Sequence, residues 1–436
     1  MSDNPTIFAL SSGAPPAGIA VVRISGPDAG TALSALAGSL PPPRRATFRR
    51  LVDPADGALL DATMVLWLPG PHTATGEDSA ELHLHGGRAV VQAVLAALGR
   101  LPGLRAAQAG EFTRRAFLNG RIDLNEAEGL ADLLSAETEL QRRSALAMAD
   151  GALSRRVEEW RQGVLMLSAQ LEALLDFSDE DDVGEGAALL PPGFADQAAT
   201  QAAQIGAWLA RPRAEPLREG FRVVLAGPPN AGKSTLFNAL VEAEAAITAA
   251  EPGTTRDVLT RSVAIDGVPF TFADTAGLRD EGAGEIERIG IARALAEAAR
   301  ADLILWLGPE GAGPAGDAVP LWELSARADD PVAPAKAAPR HRLSVHTGEG
   351  LDALRRDLVA HARATLPAPG EAALNARQHT FLSQVHNSLA AAGRERDPLL
   401  AAEHLRLARR ALDGLTGRAG TEDMLDALFG RFCIGK

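Results

Sequence analysis

Residues 221–241 read FRVVLAGPPNAGKSTLFNALV. An apolar run, 221–226, leads into Gly227-Pro-Pro-Asn-Ala-Gly232-Lys233-Ser234, the pattern G-x-x-x-x-G-K-S, and then into a helical stretch. This order constrains the fold more than any other feature. A loop hung between a strand and a helix N-terminus turns successive backbone N–H groups toward phosphate oxygens. Asn230, Ala231, Gly232, Lys233, Ser234 and Thr235 form the expected cradle. Lys233 can reach the β- and γ-phosphates of a nucleotide, and the Ser234 hydroxyl can bind Mg²⁺.

Two later segments extend the site. PFTFADTAG supplies a strand that ends in Asp274 and continues as Thr275, Ala276 and Gly277. An Asp at that position can hold Mg²⁺ through water, and Gly277 lets the backbone approach a γ-phosphate. Between these pieces lies PGTTRD, with Thr255 placed as a second hydroxyl ligand for Mg²⁺. The three pieces in this order point to a translation-factor-type GTPase. The residue after DTAG is Leu278, where Ras-like enzymes carry a water-orienting Gln. A carboxylate from Glu285-Ile286-Glu287 could replace it; the alternative is a solvated first helical turn.

Guanine is read in such proteins by N-K-x-D, whose Asp accepts two hydrogen bonds from the base. Here the segment is Ser325-Ala326-Arg327-Ala328-Asp329. Asp329 keeps the reading role, and the Arg327 stem could stack on the base. Ala326 in place of Asn should weaken the loop's hold on the site. LSVHTGEG resembles a supporting S-A-x-x-G loop, with Ser344 in its first position.

The rest of the chain divides by pattern. Residues 1–118 alternate short strands, among them IAVVRIS, TMVLWL and ELHLH, with turns and one Ala/Leu helix at 88–99. In ELHLH, Glu81, His83 and His85 share one face, and Leu82 and Leu84 the other. Residues 119–216 are helical, with Val164, Leu167, Leu171, Leu174 and Leu175 at helix spacing. Residues 217–366 form the β/α block, with irregular loop around one short strand at 309–340. Residues 367–436 return to helix, with Leu405, Ala408, Leu412 and Leu415 in phase. The predicted fold is multidomain α/β plus α, in which a P-loop domain is inserted into a helical domain behind an N-terminal α/β domain.

The net charge of −13 argues against a chain coated by nucleic acid, but it leaves room for a local basic patch. Arg142–Arg143, Arg155–Arg156 and Arg409–Arg410 read first as solvated helix faces. No run approaches the ~18–20 apolar residues of a membrane span, and no signal peptide is evident. The single cysteine, Cys433, excludes an intrachain disulfide and fits a reducing cytoplasm.

GPPNAGKSTLFNAL, EPGTTRDV, DTAGLR, EIERIGIARA and the closing FCIGK together resemble the MnmE (TrmE) family of bacterial tRNA modification GTPases. The N-terminal TIFAL, AGIAVVRISG, ELHLHGG and GEFTRRAFLNGRIDL resemble that family's folate-binding domain, so the resemblance runs from Thr6 to Lys436. It implies a cytoplasmic homodimer joined through the N-terminal domains. It also implies a flavoprotein partner, MnmG (GidA), in a heterotetramer or larger assembly. Together they would add an aminomethyl or carboxymethylaminomethyl group to carbon 5 of the tRNA wobble uridine, using a formyl- or methylene-tetrahydrofolate.

By motif position, the resemblance makes Arg23, Glu81, Arg121 and Lys436 the folate contacts. Arg121 stands where the family pattern has Lys. It also implies K⁺-dependent GTP hydrolysis, with K⁺ held by Asn230 and by backbone oxygens around Ala249, Glu251 and Thr254. Glu287 would orient the attacking water, although one extra residue separates it from DTAGLR. Cys433 beside Lys436 could act as a thiolate nucleophile or simply pack the tail. Two other readings remain: a ribosome-assembly-type GTPase switch without modification chemistry, and a nucleotide-binding module that has lost guanine specificity. A metal bound by Glu81, His83 and His85 gains no support from the family.

Overall fold

The computed structural model describes residues 5–178, 190–228, 230–242, 259–274, 300–314, 319–330, 336–418, 422–430, 432, 434 and 435. In chain order the first elements are Thr6–Leu10 (β1), Ile19–Ser25 (β2), Ala29–Ala37 (α1), Thr47–Val52 (β3), Leu59–Leu68 (β4) and Ser79–His85 (β5). Arg88–Gly99 (α2), Leu104–Ala106 (β6), Glu111–Leu118 (α3), Leu124–Ser135 (α4), Glu139–Ala149 (α5), Ala152–Ser178 (α6), Phe194–Leu209 (α7) and Glu215–Glu219 (α8) follow. Then come Phe221–Ala226 (β7), Lys233–Glu242 (α9), Leu259–Ile265 (β8), Val268–Asp274 (β9), Leu303–Trp306 (β10), Leu321–Ala326 (β11) and His341–Leu343 (β12). Leu351–Thr365 (α10), Ala376–Ala392 (α11), Pro398–Thr416 (α12) and Glu422–Phe429 (α13) close the chain. The elements form two compact units, Met1–Ala131 with Asp413–Lys436, and Asp132–Leu412.

The first unit is built on a six-stranded sheet of order β3-β4-β5-β2-β1-β6. All its pairings are antiparallel except β1–β6. Alternation decides its two faces. Ala20, Val22 and Ile24 of β2 and Leu82 and Leu84 of β5 are buried against Leu33 and Leu36 of α1 and Val91, Val94 and Leu98 of α2. Arg23, Glu81 and His83 take the other face.

The sequence predicts one helix in residues 1–118, and three form. Helix α1, AGTALSALA, offers only two large apolar residues, so its period is faint. Helix α3, EFTRRAFL, hides its inward face because Arg115 is itself buried, paired with Glu77 and Glu111. The tail returns to this unit. Ile434 bridges to Ala109, and the Ser11 hydroxyl donates to the Gly435 carbonyl at 2.7 Å.

The second unit carries a sheet of order β12-β11-β10-β7-β9-β8, parallel except for β8. Parallel strands are covered on both faces and become continuously apolar. Strand β9, VPFTFAD, is buried at every position. Phe221, Val223 and Leu225 of β7 pack with Phe270 and Phe272 and with Leu354 and Leu358 of α10.

Leu140 of α5 joins this same core, and the Gln141 amide donates to the Leu217 carbonyl at 3.1 Å. Helix α5 starts on a capping box made by Thr138 and Gln141. Helices α6, α7 and α11 form a separate layer. Trp160 and Trp208 meet edge to face at 6.0 Å, and Val164, Leu167 and Leu171 are fully buried as their spacing predicts. Arg213 bridges Leu374 in parallel, and Ala214 N–H donates to the Leu374 carbonyl at 3.0 Å, so the chain enters and leaves the β7–α10 region side by side.

Candidate functional site

Strand β7 lies between β9 and β10, parallel to both. Its C-terminal end turns through Gly227 at φ +151°, a conformation reserved for glycine. A Cβ there would sit 3.0 Å from the Gly308 nitrogen and 3.1 Å from the Leu307 carbonyl carbon, beyond the end of β10. Asn230 at φ +60° and Gly232 at φ +90° complete the left-handed turns that bring the loop round to α9. Asn230, Ser234 and Thr235 are exposed, whereas Ala231 packs partly against the core.

Lys233 is buried, with 6 % of its surface exposed. Its ammonium donates to the Gly227 and Pro228 carbonyls at 2.9 and 2.8 Å. A buried charge needs such partners, because desolvation without them costs several kcal/mol. The Ser234 hydroxyl donates to Asp274 Oδ2 at 2.6 Å. Asp274 is buried at the end of β9, the strand next to β7. The expected phosphate lysine, hydroxyl and carboxylate are therefore together at the C-terminal edge of one parallel sheet. Thr275, Ala276 and Gly277 lie outside the described residues, as do Ala249, Glu251, Thr254, Thr255 and Glu287.

The base-reading segment follows β11. Ala326 is half-buried, and a Cβ on Gly232 would lie 3.8 Å from its methyl group. The Asn-to-Ala departure thus falls where this segment meets the phosphate loop. Arg327 turns at φ +65° and pairs with Asp330 at 2.7 Å. Ala328 N–H donates to the Leu343 carbonyl at 3.0 Å, which holds the segment to β12. Asp329 is exposed, and a hydrogen bond from the Ser344 hydroxyl holds its carboxyl below the usual range. Ser344 is fully buried and also accepts from Thr347 N–H at 3.2 Å. The sequence placed Asp329 and Ser344 in two separate loops; the fold joins them.

In the first unit, Arg23 and Glu81 stand directly opposite each other on β2 and β5. They pair at 3.0 Å, and His83 Nε2 reaches the other Glu81 oxygen at 3.2 Å. The Arg23 guanidinium lies 5.9 Å from the Phe112 ring centroid. Arg121 is exposed, and its stem runs past Gly76. His85 turns away to Asp61 at 2.8 Å. Among the described residues no group of three or more His, Cys, Asp and Glu is placed to hold a metal ion, and His83 and His85 make separate pairs, with Glu81 and with Asp61.

Cys433 and Lys436 lie outside the described residues, but their neighbours Ile434 and Gly435 are fixed beside Ala109 and Ser11. Sequence reasoning gave no role to the Glu77–Arg115–Glu111 network or to buried Lys336, which pairs with Glu323. GED and GEFTRRAF signal the first of these in the sequence. Nothing local signals the second.

Of the basic pairs, Arg142 and Arg143 both bind Glu139, and Arg156 binds Glu159. They are solvated helix faces, as read. No described helix is long and apolar enough to cross a membrane.

A parallel sheet whose central strand runs into a Gly-rich loop, with a buried lysine and a hydroxyl–carboxylate pair at the strand ends, defines a P-loop nucleoside triphosphatase. A family model described as the GTP-binding protein TrmE N-terminus matches residues 6–121, and one described as the MnmE helical domain matches residues 124–433. A tRNA modification GTPase MnmE from Novosphingobium aromaticivorans is 74% identical over 436 residues, covering 99% of each chain. One from Erythrobacter litoralis is 62% identical, covering 99% of this chain and all of its own. Among solved structures, the G domain of the T. maritima FeoB iron transporter is 25% identical and covers 32% of this chain and 98% of that one. Its TM-score is 0.23. The chain belongs to the MnmE family of tRNA modification GTPases, and it is a GTP hydrolase.

Proposed function

We propose that this GTPase is K⁺-dependent and works with a flavoprotein partner, MnmG (GidA). Together they add an aminomethyl or carboxymethylaminomethyl group to carbon 5 of the tRNA wobble uridine. The one-carbon unit comes from a formyl- or methylene-tetrahydrofolate. On this reading residues 1–118 bind folate and join two copies, 217–366 form the G domain, and 119–216 with 367–436 form the helical domain. The setting is the cytoplasm.

The observation that carries the nucleotide part of the reading is the convergence of Lys233, Ser234 and Asp274; the K⁺, flavoprotein and folate parts rest on the family resemblance. Hard oxygen donors such as the Ser234 hydroxyl and the Asp274 carboxylate suit Mg²⁺. The ion, when bound, neutralises charge on the β- and γ-phosphates. Lys233 exchanges the Gly227 and Pro228 carbonyls for phosphate oxygens. The loop N–H groups hold the phosphates still, so little reorganisation accompanies transfer.

Of the proposed K⁺ ligands Asn230 is described, with its side chain exposed beside the loop. K⁺, when bound, supplies positive charge where the γ-phosphoryl charge spreads. Asp329, kept ionised by Ser344, accepts from the guanine edge. Arg23, Arg121 and Lys436 offer cations to folate carboxylates, and Glu81 offers an acceptor to the pterin edge. The Arg23–Glu81 pair supports this, because both charges stand half-open on a sheet face.

The test is GTP hydrolysis by the full chain in K⁺ against Na⁺ at equal ionic strength, with Asn230→Ala in parallel. Strong K⁺ stimulation that the variant loses is expected. Equal, slow hydrolysis in both salts overturns K⁺ dependence.

A further inference from the structure

We propose that the edge strand β3 and the turn before it form a contact for an RNA strand. This rests on the reading that tRNA is the substrate. The segment is Arg44-Arg45-Ala46-Thr47-Phe48-Arg49-Arg50. Four arginines fall within seven residues of a chain whose net charge is −13. Strand β3 is the end of its sheet and, among the described residues, pairs only with β4.

Several exposed arginines elsewhere are spent on carboxylates: Arg100 on Asp53, Arg105 on Glu111, Arg142 and Arg143 on Glu139, Arg406 on Glu403. Among the described residues no carboxylate pairs with Arg44, Arg45, Arg49 or Arg50. Arg44 donates to the Pro69 and His72 carbonyls at 3.1 and 2.6 Å, which fixes the turn. Arg49 donates to the Phe48 carbonyl at 3.1 Å. Arg45 and Arg50 are exposed.

Phe48 sits among these cations with 62 % of its surface exposed. It shares a strand face with Arg50, and Met64 stands opposite it on β4. An exposed aromatic ring flanked by guanidinium groups that no described carboxylate neutralises matches a single-stranded RNA segment. A base stacks on the ring, and the flanking phosphates meet the cations. A two-fold contact of this strand with a second copy would set these arginines against the same arginines, and that like-charge repulsion argues against a second copy as the occupant.

The experiment measures binding of a fluorescent tRNA transcript with an unmodified wobble uridine to the full chain at several salt concentrations. Wild type is compared with the triple variant Arg45→Ala/Arg49→Ala/Arg50→Ala, the triple Arg→Lys variant and Phe48→Ala. Unchanged GTP hydrolysis and melting temperature establish that each variant is folded.

The triple Ala variant is expected to bind at least about tenfold more weakly, with a salt slope reduced by about two. The Lys variant keeps the slope. Phe48→Ala weakens binding about fivefold or more with the slope unchanged. Wild-type binding that no variant alters overturns the patch alone. Wild-type protein that binds no tRNA overturns both the patch and the tRNA reading. Variants that change the oligomeric state but not RNA affinity overturn it in favour of an interface between copies.

Discussion

The two six-stranded sheets present opposite solutions to the placing of a binding site. The parallel sheet of the second unit buries both faces, and its site forms at strand ends, from loop backbone and a few side chains. The mainly antiparallel sheet of the first unit leaves part of one face open, beyond the cluster of Ile7, Ala9 and Phe112, and its candidate site is made of side chains that meet across strands, Arg23 with Glu81 and Glu81 with His83. A backbone-built site tolerates no change of chain geometry but few of its side chains are specific. A face-built site keeps its chain geometry under almost any substitution and depends wholly on side-chain identity.

The largest effect should come from the exception within the backbone-built site. Lys233→Ala is expected to lower GTP hydrolysis by at least about a hundredfold, measured as single-turnover phosphate release. A loss below tenfold would mean that the loop backbone alone carries the phosphates.

Next comes geometry itself. Gly227→Ala puts a Cβ against the Gly308 nitrogen at a φ that suits only glycine. It should cost about 1–3 kcal/mol of stability and weaken GTP binding, read by melting and by nucleotide titration. Wild-type behaviour would remove the claim that this loop is geometry-limited.

On the open face the expectation reverses. Arg23→Ala breaks a partly exposed pair, so the melting point should barely move, by the equivalent of about 1 kcal/mol or less. Binding of a reduced folate should fall about tenfold, measured by calorimetry. A large stability loss with unchanged folate binding would reclassify Arg23 as a structural residue.

The smallest effect concerns pH. His361 of α10 meets Phe221 at 5.7 Å and Trp322 at 5.3 Å, edge-on or tilted, and its Nε2 is buried without a hydrogen-bond partner. Burial, helped by Arg340, pushes its pKa below the ordinary value of 6.5. The unfolded chain therefore binds the proton first as pH falls. Stability is complete above about 6.5 and declines from there toward the folded pKa. Denaturant melts between pH 8 and 5.5 should show this decline, and His361→Phe should flatten it. A profile unaltered by the variant would assign the pH dependence to other groups.

The same contrast explains what the sequence disclosed. The phosphate loop was legible because backbone geometry demands glycine at fixed spacing, and Lys233, Ser234 and Asp274 meet as that spacing implies. Arg23 and Glu81 are far apart in sequence, and strand register alone makes them partners. Only the family resemblance singled them out. Ser344 and Asp329 were legible singly, but their hydrogen bond depends on β11 and β12 lying side by side. Lys336 was illegible because its partners, the Trp306 carbonyl and Glu323, arrive from other strands. Helix α3 was missed because a buried arginine breaks the apolar period that marks a helix.

The bridge between the entering and leaving segments at Arg213 and Leu374 carries one further consequence. A segment whose two ends are already pinned together is, for the remainder of its host, a closed loop of arbitrary size. The entropy of closing such a loop grows only logarithmically, by about 0.6 kcal/mol for each doubling of its length. The helical layer is therefore almost indifferent to how much chain hangs from that junction. The inserted region could have lengthened or shortened many times without the layer that carries it having to be rebuilt.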